Sequence, residues 1–474
     1  MTPENIPEAP PIILTEGTHW VLLLAQSVAF ILAVAIILRL AHEKRTPSNI
    51  FAWSLLLLFM PLVGVPLYML IGGRKIRRLV NEKARMLELA RQNATPDFSK
   101  DKACVLCSGN SVTLLNDGVE AYRTLCKEME RARESILITT FILGNDSVGR
   151  SIVRRLIRKA RSGVKVMLLI DALGSWNSPM LELKVLRRAG GKVVRFIPIF
   201  PFVASASANL RNHRKLAIFD GRRAIVGGQN MDSRFLSPKY SKELFADLGL
   251  CVEGPIVSAL TPVFIGDWAF ASKSSLETLL PLMSKQAAPT GESVLELIPS
   301  GPDVDGDPLW ERIITLVQEA RESITIVTPY FLPDEVLLRS LIIKAHMGRK
   351  VTVIVPENSN HPIVDMARNR YLRHMSAQGV KILFYTKRML HAKLIMVDGR
   401  FAVSGSANID PRSFFVNFEI GIIHSSSKDI QAFRNWLETR ILPRCNSYAD
   451  SPKSRESKAR LLAENMANLL TPMM

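Results

Sequence analysis

The stretch His213-Arg214-Lys215-Leu216-Ala217-Ile218-Phe219-Asp220 returns later in the chain as His391-Ala392-Lys393-Leu394-Ile395-Met396-Val397-Asp398. Each copy is followed, at the same spacing, by an Asn and then an Arg: Asn230 and Arg234 in the first half, Asn408 and Arg412 in the second. One His-x-Lys pattern carries little information. Two copies that match at five polar positions indicate two half-sites that meet at one ligand.

The repetition extends beyond this motif. Ala132-Arg133-Glu134-Ser135-Ile136 returns as Ala320-Arg321-Glu322-Ser323-Ile324, and Lys159-Ala160-x2-Gly163 returns as Lys344-Ala345-x2-Gly348. The offset between the copies is nearly constant, which indicates an internal duplication with small differences in loop length.

Each half alternates amphipathic helices with short apolar strands. The first half predicts a helix over Gly118 to Arg131 and then strands over Ser135 to Phe141, Val164 to Ile170 and Lys192 to Phe196. This order predicts an α/β fold of two duplicated lobes, each a sheet flanked by helices, related by a pseudo-twofold axis. The motif residues 216–219 and 394–397 are apolar and also predict strands.

The N-terminus carries two apolar runs, Val21 to Leu38 and Ile50 to Gly72. A membrane span needs about 20 mostly apolar residues, so both runs predict a transmembrane helical hairpin. Pro61, Gly64 and Pro66 lie in the second run, which leaves a kinked span or a re-entrant segment open.

We therefore expect five segments: a membrane anchor over 1–73, a linker over 74–103, lobes over 104–285 and 286–450, and an amphipathic tail over 451–474. Basic residues follow the second run, which favours a cytoplasmic position for the two lobes. Basic residues between the two runs argue the other way for a two-span hairpin.

The net charge of +18 indicates a polyanionic partner, either nucleic acid or an anionic membrane. The apolar N-terminus favours the membrane, so we expect no nucleic acid partner. The five scattered cysteines give no disulfide framework. No nucleotide-binding pattern or metal-ligand spacing is present, so we expect no metal and no cofactor. The oligomeric state does not follow from the sequence.

The repeated residues suit phosphate chemistry. Residues two apart on a strand share a face, so His213 and Lys215 point the same way, as do His391 and Lys393. The lysines and the amides of Asn230 and Asn408 can stabilise negative charge on phosphorus. One imidazole can attack the phosphorus while the other moves the proton, so the cycle needs both motifs.

Carboxylates have two expected roles here. Asp247 and Glu419 are candidates to orient the histidines, either within a half or across the pseudo-twofold axis. Asp220 and Asp398 join the candidate catalytic set by their place in the motif. Each precedes a Gly at a turn, however, so we expect a structural role in binding local backbone amides.

These motifs resemble those of the phospholipase D superfamily, H-x-K-x4-D followed by G-[GS]-x-N. The closer resemblance is to bacterial cardiolipin synthases, through 211–215, 389–393, 328–335 and the N-terminal double span. The resemblance implies a two-lobed α/β fold and transfer of a phosphatidyl group from one phosphatidylglycerol to another, giving cardiolipin and glycerol. It also favours His213 as the nucleophile and His391 as the acid and base, and it implies a multi-pass anchor in a bacterial inner membrane.

Three functions remain open from the sequence. The first is this phosphatidyl transfer, with phosphatidylethanolamine as an alternative donor. The second is a phosphodiesterase of the same superfamily that hydrolyses phospholipid or nucleic acid with the same residues. The third is an inactive membrane scaffold, which the two intact motifs disfavour.

Overall fold

A computed structural model describes residues 16–42, 47–69, 77–93, 104–198, 210–283 and 287–451, with residues 453, 461, 464 and 466. The chain divides into two compact units, Met1–Gly73 and Arg74–Met474. The predicted C-terminal tail over 451–474 lies almost entirely outside the described residues.

Within its described residues, the first unit contains the helices α1 (Glu16–Ala41), α2 (Pro47–Phe59) and α3 (Pro61–Leu67). The second apolar run is therefore not one straight helix, because the chain breaks at Met60, ahead of Pro61. A Cβ on Gly64 would lie 2.9 Å from the Leu56 carbonyl oxygen, which shows that α3 folds back against α2. Trp53 and Tyr68 stack edge-to-face across this bend, with ring centroids 5.1 Å apart.

Apolar side chains cover the outside of α1. Trp20, Ile31 and Leu38 are 72%, 67% and 63% exposed, respectively. Residues Trp20–Ala41 are long and apolar enough to cross a membrane. An exposed apolar helix of this length indicates association with a membrane.

The second unit alternates strands and helices. Its helices are α4 (Arg77–Gln92), α5 (Gly118–Arg131), α6 (Ser147–Arg161), α7 (Met180–Arg188), α8 (Pro255–Ser272), α9 (Pro308–Glu319), α10 (Glu335–His346), α11 (Pro362–Ala377), α12 (Pro411–Phe415) and α13 (Ser427–Trp436). The π-helical turn Leu437–Ile441 and the 3₁₀ turns Leu276–Thr278, Leu280–Leu282, Leu442–Arg444 and Tyr448–Asp450 complete the helical elements described.

The strands fall into two sets. Those of the first lobe are β1 (Val105–Leu115), β2 (Ser135–Thr140), β3 (Lys165–Asp171), β4 (Lys192–Phe196), β5 (Leu216–Phe219), β6 (Arg223–Gly227) and β7 (Gly249–Glu253). Those of the second are β8 (Ser293–Ser300), β9 (Ser323–Val327), β10 (Lys350–Pro356), β11 (Lys381–Tyr385), β12 (Leu394–Val397), β13 (Phe401–Gly405), β14 (Glu419–His424) and β15 (Cys445–Ser447).

The two lobes share one sheet in the order β15-β11-β10-β9-β12-β13-β14-β8-β1-β7-β6-β5-β2-β3-β4. Reading outward from the centre, β1-β7-β6-β5-β2-β3-β4 repeats as β8-β14-β13-β12-β9-β10-β11. The antiparallel pair β1–β8 joins the halves, with Val105 opposite Leu297. The predicted α/β fold with two repeated lobes is confirmed, and the continuous sheet is an addition to it.

Helix α4 occupies most of the stretch that the sequence predicts as a linker. It belongs to the second unit and packs along α8. Lys83 of α4 is fully buried, with Nζ 2.6 Å from Asp267 of α8 and 2.5 Å from Asp303. Residues 77–92 therefore form part of the folded unit, because two buried carboxylates hold their lysine inside it.

The motif aspartates anchor strands at a distance from the histidines. Asp220 accepts hydrogen bonds from the backbone N–H groups of residues 133–135, and Asp398 accepts them from residues 321–323, all at 2.8–2.9 Å. Both adopt positive φ angles, 52° and 53°. These amides begin β2 and β9, so they are not the local turn amides that the sequence predicted. Each carboxylate lies at the opposite end of its motif strand from the His.

These contacts also explain the other repeats in the sequence. The Arg-Glu-Ser segments supply the amides that Asp220 and Asp398 bind. Lys159 Nζ caps the end of α5 through the carbonyl of Ala132 at 3.1 Å, and Lys344 Nζ caps α9 through that of Ala320 at 2.8 Å. The conserved spacing between the two halves thus reflects the same strand and helix anchors.

We expect Asp398→Ala to lower the free energy of unfolding by about 2 kcal/mol or more, because three backbone N–H groups lose a charged acceptor. Thermal unfolding of the purified protein in detergent would show this as a midpoint lower by a few degrees. Asp305→Ala, at an exposed loop position, is the matched control. An unchanged midpoint for Asp398→Ala would contradict the anchoring role.

Candidate functional site

Backbone hydrogen bonds pin each motif histidine against the other lobe. His213 donates its N–H to the carbonyl of Phe418 at 3.0 Å, and His391 donates to the carbonyl of Ala246 at 2.7 Å. Phe418 and Ala246 immediately precede Glu419 and Asp247 in the chain. Each lobe therefore brings a carboxylate beside the histidine of its partner lobe.

The side chains also form hydrogen bonds across the two lobes. His213 Nδ1 donates to Glu419 Oε1 at 2.8 Å, and His391 Nδ1 donates to Asp247 Oδ2 at 2.8 Å. The sequence left open whether these carboxylates act within a half or across the axis, and the geometry is across. A proton held on Nδ1 leaves Nε2 of each ring unprotonated, the form that a nucleophile or a base requires.

Both lysines lie against their own motif. Lys215 Nζ donates to the carbonyl of His213 at 2.6 Å, and Lys393 Nζ donates to that of His391 at 2.6 Å. Lys393 Nζ also lies within 3.1 Å of both ring nitrogens of His391. Burial lowers the pKa of Lys393 to about 8 and holds the pKa of Lys215 well below its usual range.

The histidines are both neutral in this site at pH 7. Burial lowers the pKa of His391 to about 3, and the charge of Lys393 acts in the same direction against Asp247. Burial also lowers the pKa of His213, with Glu419 opposing it and Lys215 reinforcing it. Lys393 further lowers the pKa of His213, and Lys215 that of His391, so the two motifs form one electrostatic site.

The carboxylates remain ionised although they are buried. Burial alone would raise the pKa of Asp247, but His391 and Lys393 outweigh it and hold this pKa below its usual value. The pKa of Glu419 is lowered in the same way, because His213 and Lys215 outweigh burial. Buried charges persist only when they are paired, and these are paired across the lobes.

The two asparagines are both buried and bind neighbouring segments of their own lobes. Asn230 Oδ1 accepts the N–H of Ile142 at 3.1 Å, which leaves its amide nitrogen to donate elsewhere. Asn408 is buried and donates its backbone N–H to Ser413 Oγ at 3.1 Å. Asp220 and Asp398 are not brought to the histidines, since they bind the strand amides described above. Arg234 forms a salt bridge with Asp232 at 2.8 Å and so holds its loop.

The two lobes differ in the residue that contacts the carboxylate on the side away from the histidine. Ser406 Oγ donates to Glu419 Oε2, but the equivalent residue in the first lobe is Gly228. A Cβ on Gly228 would lie 3.0 Å from both Asp247 Oδ1 and Lys393 Cδ, so this position has little room for a side chain. Sequence reasoning did not assign Ser406 a role, although the Gly-Gly and Gly-Ser pairs show where the copies differ.

A buried ionic network supports the first motif. Arg214 lies between His213 and Lys215 and donates to Asp267 Oδ1 at 2.6 Å and to the carbonyl of Glu419 at 3.1 Å. Asn212 Nδ2 donates to the other oxygen of Asp267 at 2.8 Å. No sequence pattern links these residues, which lie more than 50 positions apart, so the network was not predicted.

An aromatic ring packs against each of the two imidazoles. Phe141 packs edge-to-face on His213 with ring centroids 5.1 Å apart, and Phe235 packs on His391 at 4.8 Å. Within the described part of the chain, no three His, Cys, Asp or Glu side chains form a group that could hold a metal ion. The site therefore consists of two imidazoles, two ammonium groups and two carboxylates, which suits nucleophilic and acid–base chemistry at a phosphate.

Comparison with known proteins gives a consistent result. A family model described as cardiolipin synthase, PLD-like domain, matches residues 125–267 and 313–441, and a model described as phospholipase D-nuclease N-terminal matches residues 28–73. The chain is 32% identical to the major cardiolipin synthase ClsA of Bacillus subtilis, over 92% of this chain and 98% of that protein. It is 31% identical to a cardiolipin synthase of Oceanobacillus iheyensis, over 87% and 91%.

The likeness to one solved structure concerns the fold and not the function. Phosphatidylserine synthase of Haemophilus influenzae superimposes with a TM-score of 0.59 at 15% identity, over 82% of this chain and 100% of that one.

Stability should fall as the pH drops below about 6.5, because the unfolded chain then binds a proton at His391 that the folded chain excludes until about pH 3. Between pH 6.5 and 5 this contributes a loss of roughly 2 kcal/mol. We expect His391→Gln to show a shallower decline of unfolding free energy over this interval than the parent chain. His346→Gln, at an exposed position, is the control, and equal slopes for all three proteins would contradict the depressed pKa.

Proposed function

This chain belongs to the family of cardiolipin synthases with phospholipase D-like domains, and we propose that it makes cardiolipin from two phosphatidylglycerol molecules through a phosphatidyl-histidine. The observation that carries the proposal is the reciprocal pairing of His213 with Glu419 and His391 with Asp247. This pairing prepares two imidazoles, each with Nε2 unprotonated, beside two lysines.

In the first half-reaction, His213 Nε2 attacks the phosphorus of the donor phosphatidylglycerol. A P–N bond forms, the bond from phosphorus to the headgroup glycerol oxygen breaks, and His391 Nε2 delivers a proton to that oxygen. Glycerol leaves, and the phosphatidyl group stays on His213. The order of the histidines follows the resemblance to the superfamily, in which the first motif often supplies the nucleophile.

In the second half-reaction, His391 is neutral again and acts as the base. It takes the proton from the terminal hydroxyl of a second phosphatidylglycerol, whose oxygen attacks phosphorus. The P–N bond breaks, cardiolipin forms, and His213 returns to its starting state. Water in place of the lipid hydroxyl would give phosphatidic acid, so the choice between transfer and hydrolysis depends on what reaches the intermediate.

Charges in the site suit both steps. Lys215, Lys393, Asn230 and Asn408 are the expected donors to the phosphate oxygens, where negative charge builds as phosphorus becomes pentacoordinate. His391 must hold a proton before the first step, whereas its burial and the charge of Lys393 disfavour that proton. The negative charge of a bound phosphodiester offsets the lysines and so favours that proton when substrate is present.

We expect the purified protein, given phosphatidylglycerol labelled in its headgroup, to release labelled glycerol and form cardiolipin. His213→Ala and His391→Ala should each lower the rate by at least about 1000-fold, because each removes a group with no substitute in the site. Products would be separated by mass. His346→Ala is the matched control at an exposed histidine. Phosphatidic acid as the main product would indicate a hydrolase, and full activity of either motif variant would contradict the mechanism.

The anchor also has a proposed arrangement. At 13 residues, α2 is about 20 Å long, too short for a hydrocarbon core of about 30 Å, and α3 folds back on it. We propose that α1 crosses the bacterial inner membrane once and that α2 and α3 re-enter it without crossing. The basic residues between the runs and those after the second run then lie on one side, the cytoplasm, which removes the conflict that two crossings create.

This arrangement predicts that a cysteine at position 4 is labelled by a membrane-impermeant maleimide from the periplasmic side of intact spheroplasts. Cysteines at positions 44 and 78 should be labelled only after lysis. Two full crossings would instead place positions 4 and 78 on one side and position 44 on the other. Labelling of that kind would contradict the re-entrant arrangement.

A further inference from the structure

An open cavity of about 620 Å³ lies behind the His391–Asp247 pair. Its basic lining consists of Lys242, Lys387, Arg388, Arg440 and Arg444. Asp247 and Ala246 form part of its wall, and Tyr385, Trp436 and Ile441 give it an apolar side. The mechanism proposed above uses none of the five cations.

The equivalent space behind His213 is filled. There Arg214 reaches from the motif to Asp267 at 2.6 Å, and Lys83 closes the space with Nζ 2.5 Å from Asp303. Lys83 also lies 4.1 Å from the centroid of the Phe418 ring. In the second motif the residue between His and Lys is Ala392, which carries no charge. The two halves therefore differ here: one has a closed network of paired charges, and the other has a basic cavity.

The cations of this cavity are incompletely balanced. Asp117 lies 3.5 Å from Arg440, but it also accepts the hydroxyl of Tyr240 at 2.7 Å and the first amides of α5. Asp247 is engaged by His391. Arg388 Nε is buried and has no hydrogen-bond partner within the described part of the chain. The five cations of the lining outnumber the two carboxylates, Asp117 and Asp247, and an anion in the cavity would balance part of this charge.

We propose that this cavity is a second anion site, which binds the phosphate group of a phosphomonoester or phosphodiester through Arg388 and its neighbouring cations. Arginine suits this task because its planar donors match phosphate oxygens. The volume exceeds that of a phosphate group, and the apolar wall of Trp436 and Ile441 suits the carbon part of a larger ligand. The same chemistry fits a lipid headgroup or free phosphate, so the test must separate these two sources.

Hydrogen exchange measured by mass spectrometry on the full chain in detergent gives a local readout. We expect inorganic phosphate, short-chain phosphatidic acid, or both to slow exchange in peptides that cover 240–245 and 437–444. Protection by phosphate alone identifies free phosphate as the ligand, and protection by the lipid alone identifies a headgroup. Short-chain diacylglycerol at the same concentration, which has the acyl chains but no phosphate, is the control for detergent and acyl-chain effects.

Arg388→Gln should raise the ligand concentration for half-maximal protection at these peptides roughly tenfold, because one charge-assisted contact is lost. Arg440→Gln, at an exposed position of the same cavity, is a second variant in case Arg388→Gln does not fold. Arg339→Gln is the matched control, since Arg339 lies exposed on α10 and pairs with Glu335. Binding is read out without activity, so the result stands whether or not the chain makes cardiolipin.

Absence of protection by both ligands would overturn the second site. Protection that persists unchanged in Arg388→Gln and in Arg440→Gln would overturn it as well. Protection confined to peptides around the two motifs would assign the phosphate to the catalytic centre alone.

Discussion

The site depends on two reciprocal hydrogen bonds between the lobes, in which each lobe supplies a carboxylate to the histidine of the other. Each histidine takes its orienting partner, Asp247 or Glu419, from the opposite lobe, and a backbone hydrogen bond beside it fixes the register. Two lysines and two carboxylates meet in this one buried site, so groups of opposite charge are equal in number and balance one another when all four are ionised. Neither lobe can assemble this balance alone, because removal of one lobe leaves a histidine without its acceptor and a carboxylate without its donor.

The duplication gives two equivalent scaffolds, and a few residues make them unequal. Ser406 supports Glu419 with a hydroxyl that Gly228 cannot offer to Asp247. Arg214, between the His and Lys of the first motif, forms a buried ion pair with Asp267. The equivalent residue of the second motif, Ala392, has no charge and cannot form such a pair. A symmetric pair of imidazoles has no reason to divide the roles of nucleophile and acid. These differences in their surroundings provide a physical basis for such a division.

Periodicity predicted the local structure well and the long-range contacts poorly. The motif strands β5 and β12 and the helix α5 have the predicted bounds, because turns and caps such as Asp117 mark their ends in the sequence. The repeated polar residues also predicted which side chains the fold brings together, since His213, Lys215, His391 and Lys393 influence one another's pKa values. The sequence did not reveal that the lobes share one sheet, that Lys83 is buried, or which carboxylate serves which histidine. These features depend on contacts between residues far apart in the chain, which no local pattern records.

Helices α1 and α8 show how one buried charge separates a membrane helix from a core helix. Both are long and apolar enough to cross a membrane, but α8 is mostly buried inside the protein. Asp267 lies within α8 and is fully buried, and burial alone would raise its pKa, but Arg214 and Lys83 outweigh this effect and lower it. Such a carboxylate facing lipid would have no partner and would cost several kcal/mol. Helix α1 has no charged residue between Glu16 and Arg39, so it meets no such penalty.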